Sequence, residues 1–437
     1  MKGYRYLLAL ALVAAMAGSV YMAISQAAEK NMQYEEYLTE ARRLAELNVV
    51  EDSAAYYKQA LALRDSVEVS IELGQVYEDN DWIGEAISWG EYMTDHFSND
   101  PSVYTFLLRQ YIADEDYTEC FALRDEVEAR DVLSSDFTAL LDEIEYVYEF
   151  GYDFYDDVSV FGNGLCAVLS NEKWGYANLS GSKEIKCQFA WAGVFTTDEI
   201  APVQDENGDF FYISLTGNKK IAVQNLENCD GLGASVDQIL PASDNGVYAY
   251  YDLEFEKIAG DYDDATVING GVGAVEEDGS WYLVDSAGNI LSDNAYESVV
   301  MDDKGIVCRN ERIFAETEDG IVMLDTSGAQ IGSQIYEDAK LFLETDSYAA
   351  VLIDSEWGFV DQEGNLVIEA SYEDARSFSN GYAAVEINGK WGFIDTEGNI
   401  VIEAIFQDAR DFNEQGCVFI QRSNSWQMLK LIKENYD

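Results

Sequence analysis

The apolar positions of this chain change their period twice. An uninterrupted apolar run, Tyr6 to Ile24, comes first, directly behind Lys2 and Arg5. As a helix, those 19 residues reach about 28 Å at ~1.5 Å per residue, close to the ~30 Å hydrocarbon thickness of a bilayer. Two readings fit. One is a cleaved signal peptide, with Ser25 and Ala27 as the small residues before the cut. The other is an uncleaved signal anchor, which the length favours. Both hold Lys2 and Arg5 on the cytoplasmic side and export the bulk of the chain. The expected address is a cell membrane, single-pass with a cytoplasmic N-terminus, or secretion after signal cleavage. Residues 1–30 form this first region.

From Asn31 to Phe150 the apolar positions recur every three or four residues, the period of amphipathic helices. Ser53 to Leu63 predicts one helix. Ile71 to Met93 predicts a pair broken at Asp79 to Asp81, and Leu107 to Ala129 repeats that pair. Leu73 and Leu107 stand 34 residues apart, as do Tyr77 and Tyr111. Residues 31–150 therefore resemble a degenerate tetratricopeptide array, a stack of antiparallel helical hairpins of that period. Ala86 matches the small residue of the second helix and Pro101 the closing proline, whereas Cys120 or Phe121 stands where an alanine is expected. The resemblance implies a groove for a peptide. A plain stalk or packing layer fits the residues equally well.

Beyond residue 150 the period becomes two, and the chain repeats itself. Residues 381–412 can be laid over 348–378 with Trp391 on Trp357, Gly392 on Gly358 and Gly398 on Gly364. Fainter copies place Trp174-Gly175, Phe210, Tyr248, Trp281-Tyr282, Ile321 and Trp426 at the same point, 33 to 40 residues apart. In the clearest copy Tyr382 to Ile387 alternates, and Asn388-Gly389 supplies a two-residue hairpin turn. Asn207-Gly208, Asp278-Gly279 and Asp319-Gly320 occupy the corresponding place elsewhere. Trp391 to Asp395 returns as a second strand. Asp395 to Gly398 is a type I turn with a bulge, Asn399 to Glu403 a third strand, and Ala404 to Phe412 a connector. Each copy is thus a three-stranded antiparallel meander, too small to bury both faces alone.

The run G-x-A-x-V, K-W-G-[YF]-I-[DN], G-x-[IV]-V-I, complete in residues 381–412, resembles the bacterial WG (KWG) β-repeat. Asn171 to Gly181 keeps its centre, and Ala370 and Ala404 replace the proline usual after the third strand. The resemblance implies a surface or exported repeat protein without a common catalytic residue. The expected fold is multidomain α plus β: the N-terminal helix, the helical hairpins, then an all-β repeat domain, 151–437, of about eight three-stranded units. Those units make either a propeller-like ring or an open, curled array. Tyr155 to Phe161 resembles the connector Phe406 to Phe412, so Tyr146 to Phe154 would supply the strand that the last copy lacks, and would close a ring.

Composition narrows the chemistry. Lysine and arginine total 26 against 83 aspartates and glutamates, a formal charge of −57. With no basic stripe to displace counterions, nucleic acid is excluded as a partner. Hydrophobic residues make up 48%, ample for a packed core. One histidine, His96, leaves nothing from which to build a Ser-His-Asp triad or a His-rich metal site. The six cysteines, Cys120, Cys166, Cys187, Cys229, Cys308 and Cys417, show no C-x-x-C spacing. Cys166 and Cys308 fall at strand positions filled by Ala383 and Ala384 in the clearest copy, which points to packing.

Trp174, Trp281, Trp357, Trp391 and Trp426 recur once per unit, which suits core anchors better than a sugar-stacking surface; Trp191 lies outside that register. Asp361 and Asp395 sit where a turn wants aspartate and glycine, short of the six or more oxygens of a calcium loop. No catalytic residue, cofactor or metal ligand is assigned. The structural anchors are Trp174, Gly175, Trp281, Trp357, Gly358, Trp391, Gly392 and Trp426, with Asn388, Gly389, Gly364 and Gly398 in turns. The expected function is a non-enzymatic envelope module that binds or scaffolds a protein or cell-envelope polymer, its oligomeric state open. A wall-polysaccharide hydrolase and a purely structural spacer are the alternatives.

Overall fold

A computed structural model describes residues 2–343 and 347–432, without the side chains of 2–15 and 17–19. Most of the apolar run Tyr6 to Ile24 thus lies outside the described side chains. Among the described residues no helix is long and apolar enough to cross a membrane. The chain divides into two compact units, with the second beginning at Tyr148.

The described part of the first unit is all helix: α1 (Lys2–Glu46), α2 (Val50–Leu63), α3 (Val67–Glu78), α4 (Ile83–His96), α5 (Pro101–Ala113), α6 (Tyr117–Arg130) and α7 (Ser135–Ile144). Their starts follow from local chemistry. Ser66, Asp100, Asp116 and Ser134 accept hydrogen bonds from first-turn N–H groups of α3, α5, α6 and α7, and Pro101 sits where no N–H is needed. Asp81 and Glu115, 34 residues apart, adopt left-handed φ values of 59° and 58° in the α3–α4 and α5–α6 turns. Leu73, Ala86, Leu107 and Cys120 are buried between the helices. Gly74 is fixed by contact: a Cβ there would lie 2.5 Å from the Phe106 ring.

The second unit is an eight-bladed β-propeller. The seventh blade shows the plan, with strands Asp374–Ala375, Ala383–Ile387, Lys390–Ile394 and Ile400–Phe406 in that order. Six of the eight blades are therefore four-stranded sheets rather than three-stranded, and only the fourth and fifth keep three continuous strands. The connector does not merely cross to the next unit: its Asp-Ala dipeptide is extended and pairs with the strand that follows, as Asp374 with Glu386 and Ala375 with Val385. The third long strand also runs on through Ala404 to Phe406, where the sequence pattern ends it at Glu403. Inner strands of the other blades begin at Asp157, Trp191, Cys229, Asp264, Ser298, Asp338 and Asp408. In the fourth and fifth blades the outer strand shrinks to isolated bridges, such as Trp281 with Tyr296 and Ile321 with Tyr336.

The ring is closed. Strand Tyr148–Tyr155 pairs antiparallel with Ser425–Leu431 and becomes the outer strand of the eighth blade, whose other strands come from the C-terminal end of the chain. This clasp excludes the open array. Apolar clusters fill the spaces between blades. One joins Val168 of the first blade to Phe419 and Trp426 of the eighth.

Candidate functional site

The eight repeat positions occupy one place in the ladder. Trp174, Phe210, Tyr248, Trp281, Ile321, Trp357, Trp391 and Trp426 stand opposite Leu169, Gln204, Ser243, Glu276, Glu316, Leu352, Glu386 and Gln421 on the preceding strand. On the other side the outer strand offers a second aromatic: Phe189 to Trp174, Tyr372 to Trp357, Phe406 to Trp391 and Tyr155 to Trp426. Trp281, Trp357, Trp391 and Trp426 are at most 9% exposed, and Trp174 is half-buried. Trp191 is 38% exposed, at the inner strand of the second blade.

The glycine after the tryptophan has a steric reason. Between Trp391 and Phe393 the outer strand bulges, and its backbone passes directly over Gly392; a Cβ there would lie 2.6 Å from the Ile402 carbonyl. Gly358 and Gly175 meet Ala370 and Ile185 in the same way. In the third blade the glycine has moved across the ladder, Gly260 facing Ala249. In the fourth and fifth blades no continuous outer strand crosses this point, and Tyr282 and Val322 stand there.

Turns hold as expected in the clearest copy, where Asn388 and Gly389 have φ of 54° and 70°. Asp278-Gly279 follows them. Two expected turns differ. Asn207-Gly208 lies in a longer loop closed by Asp205, because the Asp205 carboxylate draws the Asn207 and Asp209 N–H groups onto itself. Gly320 is already in the strand, paired with Thr317, so the turn there is Glu318-Asp319. Gly364 and Gly398 take φ of 82° and 85° at their bulges. There Asp361 and Asp395 each accept two backbone N–H bonds and one from an asparagine amide. Their carboxylates staple the turn. All six cysteines are thiols. Cys166 takes the Ala383 position, opposite Ala177. Cys308 does not: it lies in the connector before the strand, its carbonyl accepting from Asn269 Nδ2 at 2.8 Å. The fifth connector is longer than the others, which displaces Cys308 from the alternation.

That connector shapes the centre of the ring. From Val299 to Ile313 it is six residues longer than Ala375 to Ala383, its counterpart in the seventh blade. The extra residues fold around Asp302, whose Oδ1 accepts from the Lys304 and Ile306 N–H groups while Oδ2 is gripped by Arg309 at 3.0 and 2.6 Å. Ile306 packs with Ala234, Val236 and Val267 of the third and fourth blades. The Val267 N–H donates to the Gly305 carbonyl. One side of the channel is thereby filled. The other side keeps a cavity of about 780 Å³.

Cations bridge the blades beside this cavity. Lys340 Nζ donates to Asp374 Oδ1 (2.8 Å) and the Ala375 carbonyl (2.6 Å). Arg376 forms a bidentate pair with Asp411, at 2.6 and 2.8 Å, and reaches Asp303 at 3.4 Å. Arg410 donates to the Val158 carbonyl of the first blade at 3.0 Å. The three residues follow the inner-strand alanines Ala339, Ala375 and Ala409, so sixth blade is tied to seventh, seventh to eighth and eighth to first. Burial opposes the Arg376 charge, yet Asp411, through its charge and hydrogen bonds, holds the pKa above the ordinary arginine value. The sequence carries the signal as a cation after three of the four inner-strand Asp-Ala pairs, Thr266 following the fourth, a position that the tryptophan register overshadows. On the helical unit, a shallower cavity of about 450 Å³ includes Tyr77, Trp89 and Tyr92, with Lys58 Nζ over the Tyr77 and Trp89 rings.

Residues 174–208, 357–391 and 391–426 match the family described as WG containing repeat. The chain carries WG repeats and is a WG-type β-repeat protein. No curated protein matches it. Among solved structures it is similar to BamB from Moraxella catarrhalis, at 11% identity and a TM-score of 0.39 over 65% of this chain and 94% of that one. It is also similar to Saccharomyces cerevisiae Sqt1 (13%, TM-score 0.41, 66% and 98%) and Kluyveromyces lactis Hsv2p (10%, 0.37, 57% and 92%). The propeller itself is read from the chain's own strand pairing.

Proposed function

We propose that this WG-repeat propeller is a non-enzymatic binding and scaffolding module of a cell envelope. In this reading the segment Tyr6 to Ile24 anchors it in a membrane, and the following helices are a tetratricopeptide-like second platform. The partner is a protein or an envelope polymer. One observation carries the reading: the repeated aromatics and turn carboxylates are spent on core and turns, while the non-repeating chemistry gathers at the mouth of the channel. There Asp302 and Asp411 are each held by a guanidinium. A polysaccharide hydrolase needs two acids that act across a gap of roughly 5–10 Å, one of them able to give up a proton. Carboxylates committed to arginine suit recognition better.

The test uses the full chain, immobilised and exposed to envelope extract, beside Met301→Asp, which alters an exposed residue lining the mouth. A partner held by the wild type and lost by the variant at unchanged melting temperature supports binding through this face. Turnover of wall fragments overturns the non-enzymatic reading, and the absence of any partner favours the spacer. Cell fractionation tests the address: the full chain should sediment with membranes, and a chain lacking Lys2 to Ala27 should not.

A further inference from the structure

The unfilled side of the channel has a lopsided demand for hydrogen-bond partners. Among the described residues, four lysines and arginines line it, of the chain's 26, against four acids, of its 83. Basic groups are therefore about three times as concentrated here as acidic ones, relative to their supply. Arg309, Arg376 and Lys340 have carboxylate partners. Lys304 does not: among the described residues its ammonium makes neither a hydrogen bond nor an ion pair. Burial and the neighbouring Arg309 hold its pKa below the ordinary lysine value, against the opposing charges of Asp302, Asp303 and Asp411, none of which it contacts in an ion pair among the described residues.

A second donor is stranded on the eighth blade. Asn413 Oδ1 accepts from the Gln415 and Cys417 N–H groups at 3.0 and 2.9 Å, which fixes the orientation of the amide. Its Nδ2 is consequently turned away from that turn, buried, and without an acceptor. A buried amide donor left unmet costs about 1–3 kcal/mol. Both unmet groups are donors, and each comes from a loop that leads out of an inner strand into the same cavity. Half-buried Val160 and Phe161 supply apolar wall.

We propose that this cavity is a binding site for a small organic carboxylate, its carboxyl group received by Lys304 and Asn413 and its apolar body lying toward Phe161. A carboxylate supplies acceptors for both donors, and its negative charge answers the Lys304 ammonium. An inorganic anion would leave the apolar wall uncovered. The site goes beyond the partner-binding reading and does not depend on it.

Calorimetric titration of the full chain tests it, with N-acetylphenylalanine as the carboxylate probe and its primary amide as the neutral match. Inorganic phosphate is the anion without an apolar body. The carboxylate should bind saturably and at least about ten-fold tighter than the amide or phosphate, the value of one charge-assisted hydrogen bond. Lys304→Gln should lose about ten-fold at unchanged melting temperature, and Lys304→Arg should keep most of the affinity. A short peptide with a free terminal carboxylate forms a further arm. If it binds tighter than the single acid, the carboxylate belongs to a chain end; if weaker, to a free small acid. The assignment is overturned if the carboxylate does not saturate, if the amide or phosphate matches it, or if Lys304→Gln binds as the wild type does. Partner capture by Lys304→Gln at wild-type level would separate this site from the docking face.

Discussion

Tyr155 lies directly opposite Trp426 in the eighth blade, and its hydroxyl donates to the Gly181 carbonyl of the first blade at 2.8 Å. The pair therefore does two things at once. It clasps the two ends of the β-half within one sheet, and it ties that sheet to its neighbour. Tyr372 with Trp357 and Phe406 with Trp391 make the same ladder pair inside continuous stretches of chain. The closing blade is an ordinary blade whose outer strand comes from the wrong end of the sequence.

Removing that clasp should loosen the whole ring. Tyr155 is 2% exposed, and truncation of such an aromatic costs about 3–5 kcal/mol. Tyr155→Ala should lower the denaturation midpoint of the second unit accordingly. Tyr155→Phe should cost only about 1 kcal/mol, the share of the hydroxyl bond. An unchanged midpoint for Tyr155→Ala would mean that the clasp contributes nothing to stability.

The glycine of the repeat predicts an opposite pair of effects. Gly392→Ala places a methyl group against the Ile402 carbonyl and the Ala404 backbone, an overpacking worth about 1–3 kcal/mol of destabilisation. Gly84→Ala meets nothing within 4 Å in α4 and should stabilise the helical unit by roughly 0.5–1 kcal/mol. Urea denaturation of the two variants checks both signs. Equal behaviour would show that the bulge yields freely.

Much of this was legible from residues alone, for reasons that the fold makes plain. Alternation in Tyr382 to Ile387 and the Asn388-Gly389 turn are local, and local chemistry suffices for a hairpin. The resemblance of Tyr155–Phe161 to Phe406–Phe412 carried the closure, because both segments do the same work beside a tryptophan. The fourth strand was not legible. Asp374-Ala375 is too short to show a period, and its partner is set by where the next strand runs. Nor was the channel. Lys304, Arg376 and Asn413 lie on different blades, and only closure of the ring brings them to one cavity. Cys308 was misplaced because the longer connector breaks the register on which the comparison with Ala384 relied.

The inter-blade cations predict a strong coupling. Arg376 and Asp411 have side chains 19% and 13% exposed, so removal of one partner strands a charge. Arg376→Ala should cost about 3–5 kcal/mol. The double variant Arg376→Ala, Asp411→Ala should recover much of that loss, because no unpaired carboxylate remains. A double-mutant cycle by chemical denaturation gives the coupling energy, and strict additivity would show that the two groups do not interact.

Acid should act on the turn staples. Asp285 accepts from the Asn289 amide and from the Ala287 and Asn289 N–H groups, and the Asn289 side chain leads in holding its pKa below the ordinary aspartate value. Hydrogen bonds from Ser327 and Ala329 act on Asp325 in the same direction. A carboxyl group with a lowered folded pKa binds fewer protons in the folded than in the unfolded chain. Its contribution is fully present above the unfolded value of about 3.9 and is lost as the pH falls through the folded value. Asp285→Ala should therefore melt below the wild type at pH 7, with the gap closing as the pH is taken under about 3.9. Melting curves from pH 7 to pH 3 decide it. A gap that stays constant into acid would show that Asp285 acts by shape rather than by charge.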